Sequence, residues 1–124
     1  MIDFKNASFL KLSPVSLDAY DRTVGPLLIP GERVVAAFHT MRDGVVFTDK
    51  RIIAINKQGV TGKKTDCTSL PYSKIQTFSV ETAGVIDLDG ELCLWFSGLG
   101  VVRFEFFGSK ALPEICRIIS SHVL

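Results

Sequence analysis

Residues 45–55 read VVFTDKRIIAI, two apolar runs that flank a short polar segment. Apolar and β-branched residues on both sides of a few polar residues are typical of a β-hairpin. Charged residues in hairpin turns are usually solvated, so Asp49, Lys50 and Arg51 are interpreted first as parts of a turn. The stretch therefore predicts a structural hairpin, and the sequence around it indicates the sheet to which the hairpin belongs.

Short β-type runs continue on both sides of this hairpin. Turn-compatible residues separate them, for example Arg42, Asp43 and Gly44, or Pro71, Tyr72 and Ser73. Every connection is short enough to join antiparallel neighbours. The seven predicted strands are 34–40, 45–48, 51–56, 63–70, 74–82, 91–97 and 102–107.

The last two predicted strands show the clearest alternation of large apolar residues, which is typical of strands with one buried face. The residues expected to point into the core are Leu92, Leu94 and Phe96 in one strand and Val102, Phe104 and Phe106 in the other. Trp95 falls on the opposite face. It is predicted either to be covered by the N-terminal segment or to contact another subunit, because tryptophan is enriched at interfaces.

The two ends of the chain differ from this β-rich middle. Residues 1–30 form a lead-in, where Ser16 is predicted to cap a short helix at 16–21. Near the other end apolar residues recur at helical spacing, which predicts an amphipathic helix within 110–123 that starts near Leu112, with Pro113 in its first turn. The apolar positions are Leu112, Ile115, Cys116, Ile119 and Val123.

Together these elements predict a mainly β protein with a C-terminal α-helix. Seven antiparallel strands in residues 33–107 suggest a strongly bent sheet or partly open barrel, with the helix closing the open corner. A chain of 124 residues fits one domain and can bury a core without disulfides.

The composition excludes some classes of function. Fourteen basic and thirteen acidic residues give a net charge of +1, so no overall field favours nucleic acid or an anionic membrane. The mean hydropathy of +0.30 indicates either a large core or an apolar patch that another subunit covers. With no secretory signal, no membrane-spanning run and three widely spaced cysteines, we expect a cytoplasmic protein.

The sequence offers little for catalysis or metal binding. His39, His122 and the three cysteines form no recognisable nucleophile and base pattern, so we expect no enzymatic activity and no cofactor. Asp87, Asp89 and Glu91 alternate, but a calcium loop needs more oxygen ligands over a longer spacing. A hairpin turn is the preferred interpretation of these carboxylates, and no metal site is predicted.

Six short motifs, in order along the chain, resemble the single-domain bacterial proteins with a pleckstrin-homology-like (PH-like) fold. They are MRD at 41–43, VFTDKR at 46–51, QGVTGKK at 58–64, LPY at 70–72, FSVETAG at 78–84 and DLD at 87–89. The resemblance extends from about Glu32 to the C-terminal helix. It implies the PH-like fold and ring-shaped homo-oligomers, for which a pentamer is the suggested subunit number. It does not imply catalysis.

The resemblance also implies a hydrophilic surface where strands of neighbouring subunits meet and where other, unidentified proteins bind. On this interpretation the protein is a scaffold, assembled through strand edges and apolar faces, and the polar turn at 49–51 lies on the face used by neighbours and partners. The residues assigned to subunit or partner contacts are Arg42, Asp43, Asp49, Lys50, Arg51, Lys63, Lys64, Glu81, Thr82 and Trp95.

The alternative is a peripheral membrane adaptor that binds anionic lipid. Residues 40–44 offer a single arginine beside an aspartate, whereas phosphate groups need several charge-assisted contacts. A local basic face remains as the alternative, formed by Lys50, Arg51, Lys57, Lys63 and Lys64. The same residues are also compatible with a solvated rim paired to Asp49 or Asp66, or with protein contacts.

Overall fold

The computed structural model describes residues 1–4, 9–58, 64–82, 89–108 and 110–124. The strands are β1 (Phe9–Val15), β2 (Val34–His39), β3 (Asp43–Thr48), β4 (Arg51–Gln58), β5 (Lys64–Pro71), β6 (Ile75–Thr82), β7 (Gly90–Phe96) and β8 (Gly100–Phe106). The helices are α1 (Asp21–Val24) and α2 (Leu112–Val123), and short 3-10 turns lie at Gly25–Leu27 and Tyr72–Lys74. The seven predicted strands are confirmed to within a few residues, and β1 is an eighth that the sequence did not indicate.

The strands form one sheet in the order β5-β4-β3-β2-β1-β8-β7-β6. β1 joins the two halves: its last residues pair antiparallel with β2, and Phe9 and Leu12 pair with Phe104 and Phe106 of β8. The pairing of β1 with β8 is parallel, whereas the pairs formed among the seven predicted strands are antiparallel, as expected. The sheet leaves β5 and β6 as its two edge strands.

The main core lies inside the bend of the sheet. Phenylalanine rings from β2, β3 and β8 pack at its centre, with Phe38 and Phe106 centroids 4.7 Å apart and Phe47 and Phe104 centroids 6.1 Å apart. All six residues predicted to point inward from β7 and β8 are buried there. The prediction from period-two alternation is therefore confirmed.

Helix α2 closes this core. Leu112, Ile115 and Ile119 are buried, and Cys116 and Val123 pack against the same cluster, as the helical spacing predicted. Pro113 occupies the first turn, where its missing N–H costs no intrahelical bond. Among the described residues no helix is long and apolar enough to cross a membrane.

A second apolar layer covers the outer face of β2, β3 and β4. Ala37, Val46 and Ile53 are buried beneath Val24 of α1, with Tyr20 packed nearby. The close approach at Gly44 is needed there, because a Cβ at this position would overlap the Tyr20 ring. The lead-in therefore covers this half of the sheet.

The predicted helix at 16–21 is wrong in its position. Residues 17–20 form a turn, in which the Ser16 hydroxyl donates to Asp18 Oδ1 at 2.7 Å, and the helix begins later, at Asp21. Tyr20 occupies the N-cap position without a side-chain hydrogen bond to the helix. Ser16 is thus bonded to a neighbouring side chain and does not cap α1.

Candidate interaction surface

The polar segment between β3 and β4 is organised by Thr48. Its hydroxyl donates to Glu32 Oε2 at 2.6 Å and accepts the backbone N–H groups of Lys50 and Arg51, each at 3.0 Å. Thr48 is fully buried, so these bonds form away from water. The predicted structural hairpin is confirmed, and its turn is held from within the chain.

Arg51 ties this turn to the lead-in. Its Nε and Nη2 donate to the two carboxylate oxygens of Glu32, each at 2.9 Å, and Nη2 also donates to the Leu27 carbonyl at 2.6 Å. Nη1 donates to Ser69 Oγ at 3.1 Å. These four bonds use all three guanidinium nitrogens, which gives Arg51 a structural role within its own chain. Its carboxylate partner is Glu32, whereas the sequence had suggested Asp49 or Asp66.

The pKa of Glu32 lies below its usual value. Burial of the carboxyl raises the pKa, but the hydrogen bonds from Arg51, Thr48 and the Ile29 N–H together lower it by more. The Glu32 side chain is only 1% exposed, against 20% for Arg51. A buried carboxylate is tolerated here because each of its oxygens accepts at least two hydrogen bonds.

Two other candidate carboxylates also make local contacts. Asp49 Oδ1 accepts the Arg33 N–H at 3.1 Å, and the Asp49 N–H donates back to the Arg33 carbonyl at 3.0 Å. Asp43 Oδ1 accepts from Asn56 Nδ2 at 2.8 Å across β3 and β4. Both side chains stabilise the ends of strands.

The candidate basic residues are spread along the first half of the sheet. Lys50 lies in the turn before β4, whereas Lys57 and Lys64 lie where β4 ends and β5 begins. Lys57 is seven positions after Lys50 along an extended chain, which places the two about 20 Å apart. Arg42 is exposed in the short turn between β2 and β3. Lys63 lies outside the described residues.

The outer face of β6, β7 and β8 carries three rows of side chains, set by the strand register. The first row is Thr77, Trp95 and Val101, the second is Ser79, Cys93 and Arg103, and the third is Glu81, Glu91 and Glu105. We call these the apolar row, the central row and the acidic row. Along the strands, the side chains on this one face therefore change from apolar, through mixed, to acidic.

The apolar row exposes large side chains to solvent. Trp95 and Val101 are each 46% exposed and are directly opposite each other on β7 and β8. The predicted cover by the N-terminal segment does not occur among the described residues, because residues 15–28 of the lead-in pack on the outer face of β2, β3 and β4. Trp95 therefore presents an apolar surface beside Val101, a residue that the sequence analysis did not single out.

The acidic row places three glutamate side chains of the same charge next to one another. Glu81 lies opposite Glu91 on β7, which in turn lies opposite Glu105 on β8. Arg103 from the central row contacts Glu91, with Nε and Oε1 3.0 Å apart. Two residues assigned to contacts, Glu81 and Trp95, lie on this outer face, in rows about 13 Å apart along the strands. Thr82 is the last residue of β6 and alternates to the inner face. The assigned residues on β3, β4 and β5 and in their turns lie elsewhere on the sheet.

The two edge strands differ in how they are protected. Beside β5, the Ile2 N–H donates to Thr68 Oγ1 at 3.0 Å and the amino group of Met1 lies 2.8 Å from Asp66 Oδ2. That contact and a bond from Thr68 lower the pKa of Asp66. Among the described residues β6 pairs with β7 alone, and most of its residues after Ile75 are exposed. Lysine and proline, which commonly protect edges, are absent from residues 76–82.

Comparison with known proteins agrees with this architecture. The family model described as "Bacterial PH domain" matches residues 3–123. The chain belongs to the bacterial PH domain family. The domain is 45% identical over 111 residues to the uncharacterized protein YjqA of Bacillus subtilis, covering 88% of this chain and 89% of that protein. It is 31% identical over 97 residues to YozO of the same species, covering 78% and 83%.

Solved structures support the same assignment for this bacterial PH domain. A DUF1696 family protein with a pleckstrin-homology domain from Shewanella loihica shares 40% identity and a TM-score of 0.74, covering 93% of this chain and 99% of that one. A pleckstrin homology domain from Shewanella amazonensis also shares 40% identity, with a TM-score of 0.60 and coverage of 96% and 93%. The PH-like fold inferred from the six sequence motifs is thereby confirmed.

The histidines and cysteines of this bacterial PH domain are dispersed. His122 Nδ1 lies 2.9 Å from the Ile118 carbonyl at the end of α2, while His39 is on β2. Burial raises the pKa of the Cys67 and Cys116 thiols, which disfavours their reactive thiolate forms. Within the described ranges no three histidine, cysteine or acidic side chains are grouped so that they could hold a metal ion.

Proposed function

We propose that this bacterial PH domain is a non-catalytic scaffold that assembles into a ring-like homo-oligomer and binds partner proteins. The observation that supports self-association is the apolar row, where Trp95 and Val101 are adjacent and each about half exposed. Tryptophan is enriched at protein interfaces, and contiguous exposed apolar surface often marks one.

The energetics of this surface favour covering it. Burying the exposed half of a tryptophan side chain removes about 100 Å² of mainly apolar surface from water, which contributes about 2 to 3 kcal/mol. Val101 extends the same surface on the neighbouring strand. In the proposed ring, a different surface of the next copy covers the row, and such head-to-tail contacts form a ring when the rotation between neighbouring copies closes. Two rows packed against each other would instead give a two-fold dimer.

Assembly would also serve partner binding. A ring presents the same binding site several times. If one partner carries several matching segments, it can bind several sites at once, so that weak individual contacts give strong overall binding through avidity. The scaffold needs no chemical step. The partner-binding residues in this proposal are Glu81 and Thr82, at the exposed end of β6.

The proposal is tested by the native mass in solution. Light scattering on a sizing column, at several protein concentrations, should give a multiple of the 13.6 kDa chain mass for the wild type. Trp95→Ala should shift the population toward the monomer. Leu17→Ala is the matched control, because Leu17 is 53% exposed but lies in the lead-in, and it should leave the mass unchanged. A wild type that stays monomeric at every concentration would refute the assembly.

A further inference from the structure

The edge of β6 offers backbone groups for another strand. In an edge strand, alternate N–H and C=O groups point away from the neighbouring strand. β6 extends over eight residues and, within the part of the chain that the structure describes, pairs only with β7. Its side chains at Thr77, Ser79 and Glu81 are exposed. Extended peptides bind such edges by continuing the sheet.

We propose that β6 binds an extended segment of a partner protein that carries a basic residue opposite Glu81 and an aromatic or aliphatic residue opposite Thr77. The two residues of the segment are four positions apart, because Thr77 and Glu81 are four apart on the same face of β6. This inference specifies the partner of the proposed scaffold and rests on its partner-binding part, but it does not need self-association.

The negative charge of the acidic row is the reason for expecting a basic residue in the partner segment. Glu81 and Glu91 lie directly opposite each other, and like charges in that position are unfavourable. Arg103 contacts Glu91 from the β8 side, and β6 itself supplies no basic side chain. A lysine or arginine on an added strand would lie beside Glu81 and provide a counter-charge at the outer end of the row.

The apolar row, at the other end of the face, is the reason for expecting an aromatic or aliphatic residue in the partner segment. An added strand extends the apolar row beyond Thr77, where an aromatic or aliphatic side chain would lie directly opposite the Thr77 methyl group. On the inner face of β6, Phe78 is half-buried and Val80 is 38% exposed. Small β-branched residues at the intermediate positions of the segment would cover them.

A second copy of this chain does not provide the same pattern. β5 has Thr68 four residues after Lys64, so the matching position carries no aromatic or aliphatic side chain. β6 has no basic residue between Gln76 and Thr82, so pairing of two β6 strands would leave the acidic row without a counter-charge. A segment of a different protein therefore fits the edge better.

The first test uses a capped, fluorescein-labelled peptide, Thr-Arg-Val-Thr-Val-Tyr-Gln, aligned antiparallel to residues 76–82. Fluorescence anisotropy at low salt should show saturable binding to the wild type. Glu81→Lys should raise Kd about fivefold, since an exposed charge pair is exchanged for a repulsion. A peptide with glutamate in place of arginine should bind Glu81→Lys more tightly than the wild type. Glu114→Lys, an exposed position with the same charge change on α2, should bind like the wild type.

The second test identifies where the peptide binds. Hydrogen exchange measured by mass spectrometry should slow in residues 76–82 when the arginine peptide is added, and should stay unchanged in residues 64–71 of β5. Absence of binding, equal effects of Glu81→Lys and Glu114→Lys, or no protection of β6 would each overturn the inference. Exchange in residues 76–82 that slows with protein concentration alone would mean that a second copy occupies the edge, which would also overturn it. The native mass of the same samples decides the self-association separately.

Discussion

Glu32 contributes to stability in a way that depends on pH. Its folded-state pKa is lowered, so its carboxylate is favoured in the folded protein over the unfolded chain. The resulting stabilisation is fully present above the unfolded carboxyl pKa of about 4.3 and is lost as the pH falls through the lower folded value. The residue that first looked like a surface contact, Arg51, is the main partner in this effect.

Glu32→Gln should therefore destabilise the protein mainly near neutral pH. The variant loses the charged hydrogen bonds to Arg51 and Thr48, which should cost about 2 to 3 kcal/mol of unfolding free energy at about pH 7. Urea unfolding at about pH 7 and about pH 3 measures the difference, which should shrink at the acid end. Glu114→Gln is the exposed control. A loss of equal size at both pH values would contradict the role of the Glu32 charge.

Single residues also show what the sequence could and could not specify. The alternation in β7 correctly placed Trp95 on the outer face, because alternation requires no knowledge of tertiary contacts. The partner of Arg51 could not be inferred, because Glu32 and Thr48 reach it only after the lead-in folds back on the hairpin. Charged residues in a turn look alike in sequence whether they are solvated or internally bonded.

At the level of elements, β1 was missed for a local physical reason. Its buried residues Phe9 and Leu12 are three apart, whereas a regular strand buries every second residue. Lys11 has a φ of 59° between them, and the register with β8 shifts at the same place. A bulge of this kind breaks the alternation on which strand prediction depends. The residues on either side of the shift, Phe9 and Leu12, pair with β8, and residues 13–15 pair with β2.

Helix α2, in contrast, was predicted from its spacing, and its contribution to stability can be measured. Ile115 and Ile119 are fully buried between the helix and the sheet. Replacing either with alanine should cost about 2 to 5 kcal/mol, from lost burial and from the cavity that remains. Thermal or urea unfolding would show this, with Arg117→Ala as the control on the exposed side of the same helix. Near-wild-type melting of both isoleucine variants would mean that α2 does not close the core.

At the scale of the whole molecule, the two halves of the sheet have different surroundings. The half built from β2 to β5 is covered on its outer face by the lead-in, whereas the outer face of β6 to β8 exposes the apolar and acidic rows. The fold class followed from sequence patterns and the family resemblance. The candidate surface could not be predicted in the same way. Its rows depend on the register of three strands, and the turns between those strands fix the register only in the folded structure.

This asymmetry leads to a prediction about thermal stability. If copies associate through the apolar row, unfolding is linked to dissociation, and the melting temperature of the wild type should rise by about 2 to 5 °C for each tenfold increase in protein concentration. Trp95→Ala should remove most of that dependence and should match the wild type at the lowest concentration, because the half-exposed side chain contributes more to association than to the fold of one chain. Leu17→Ala should keep the wild-type dependence. A wild-type melting temperature that does not change with concentration would mean that the two faces of this sheet differ for a reason other than self-association.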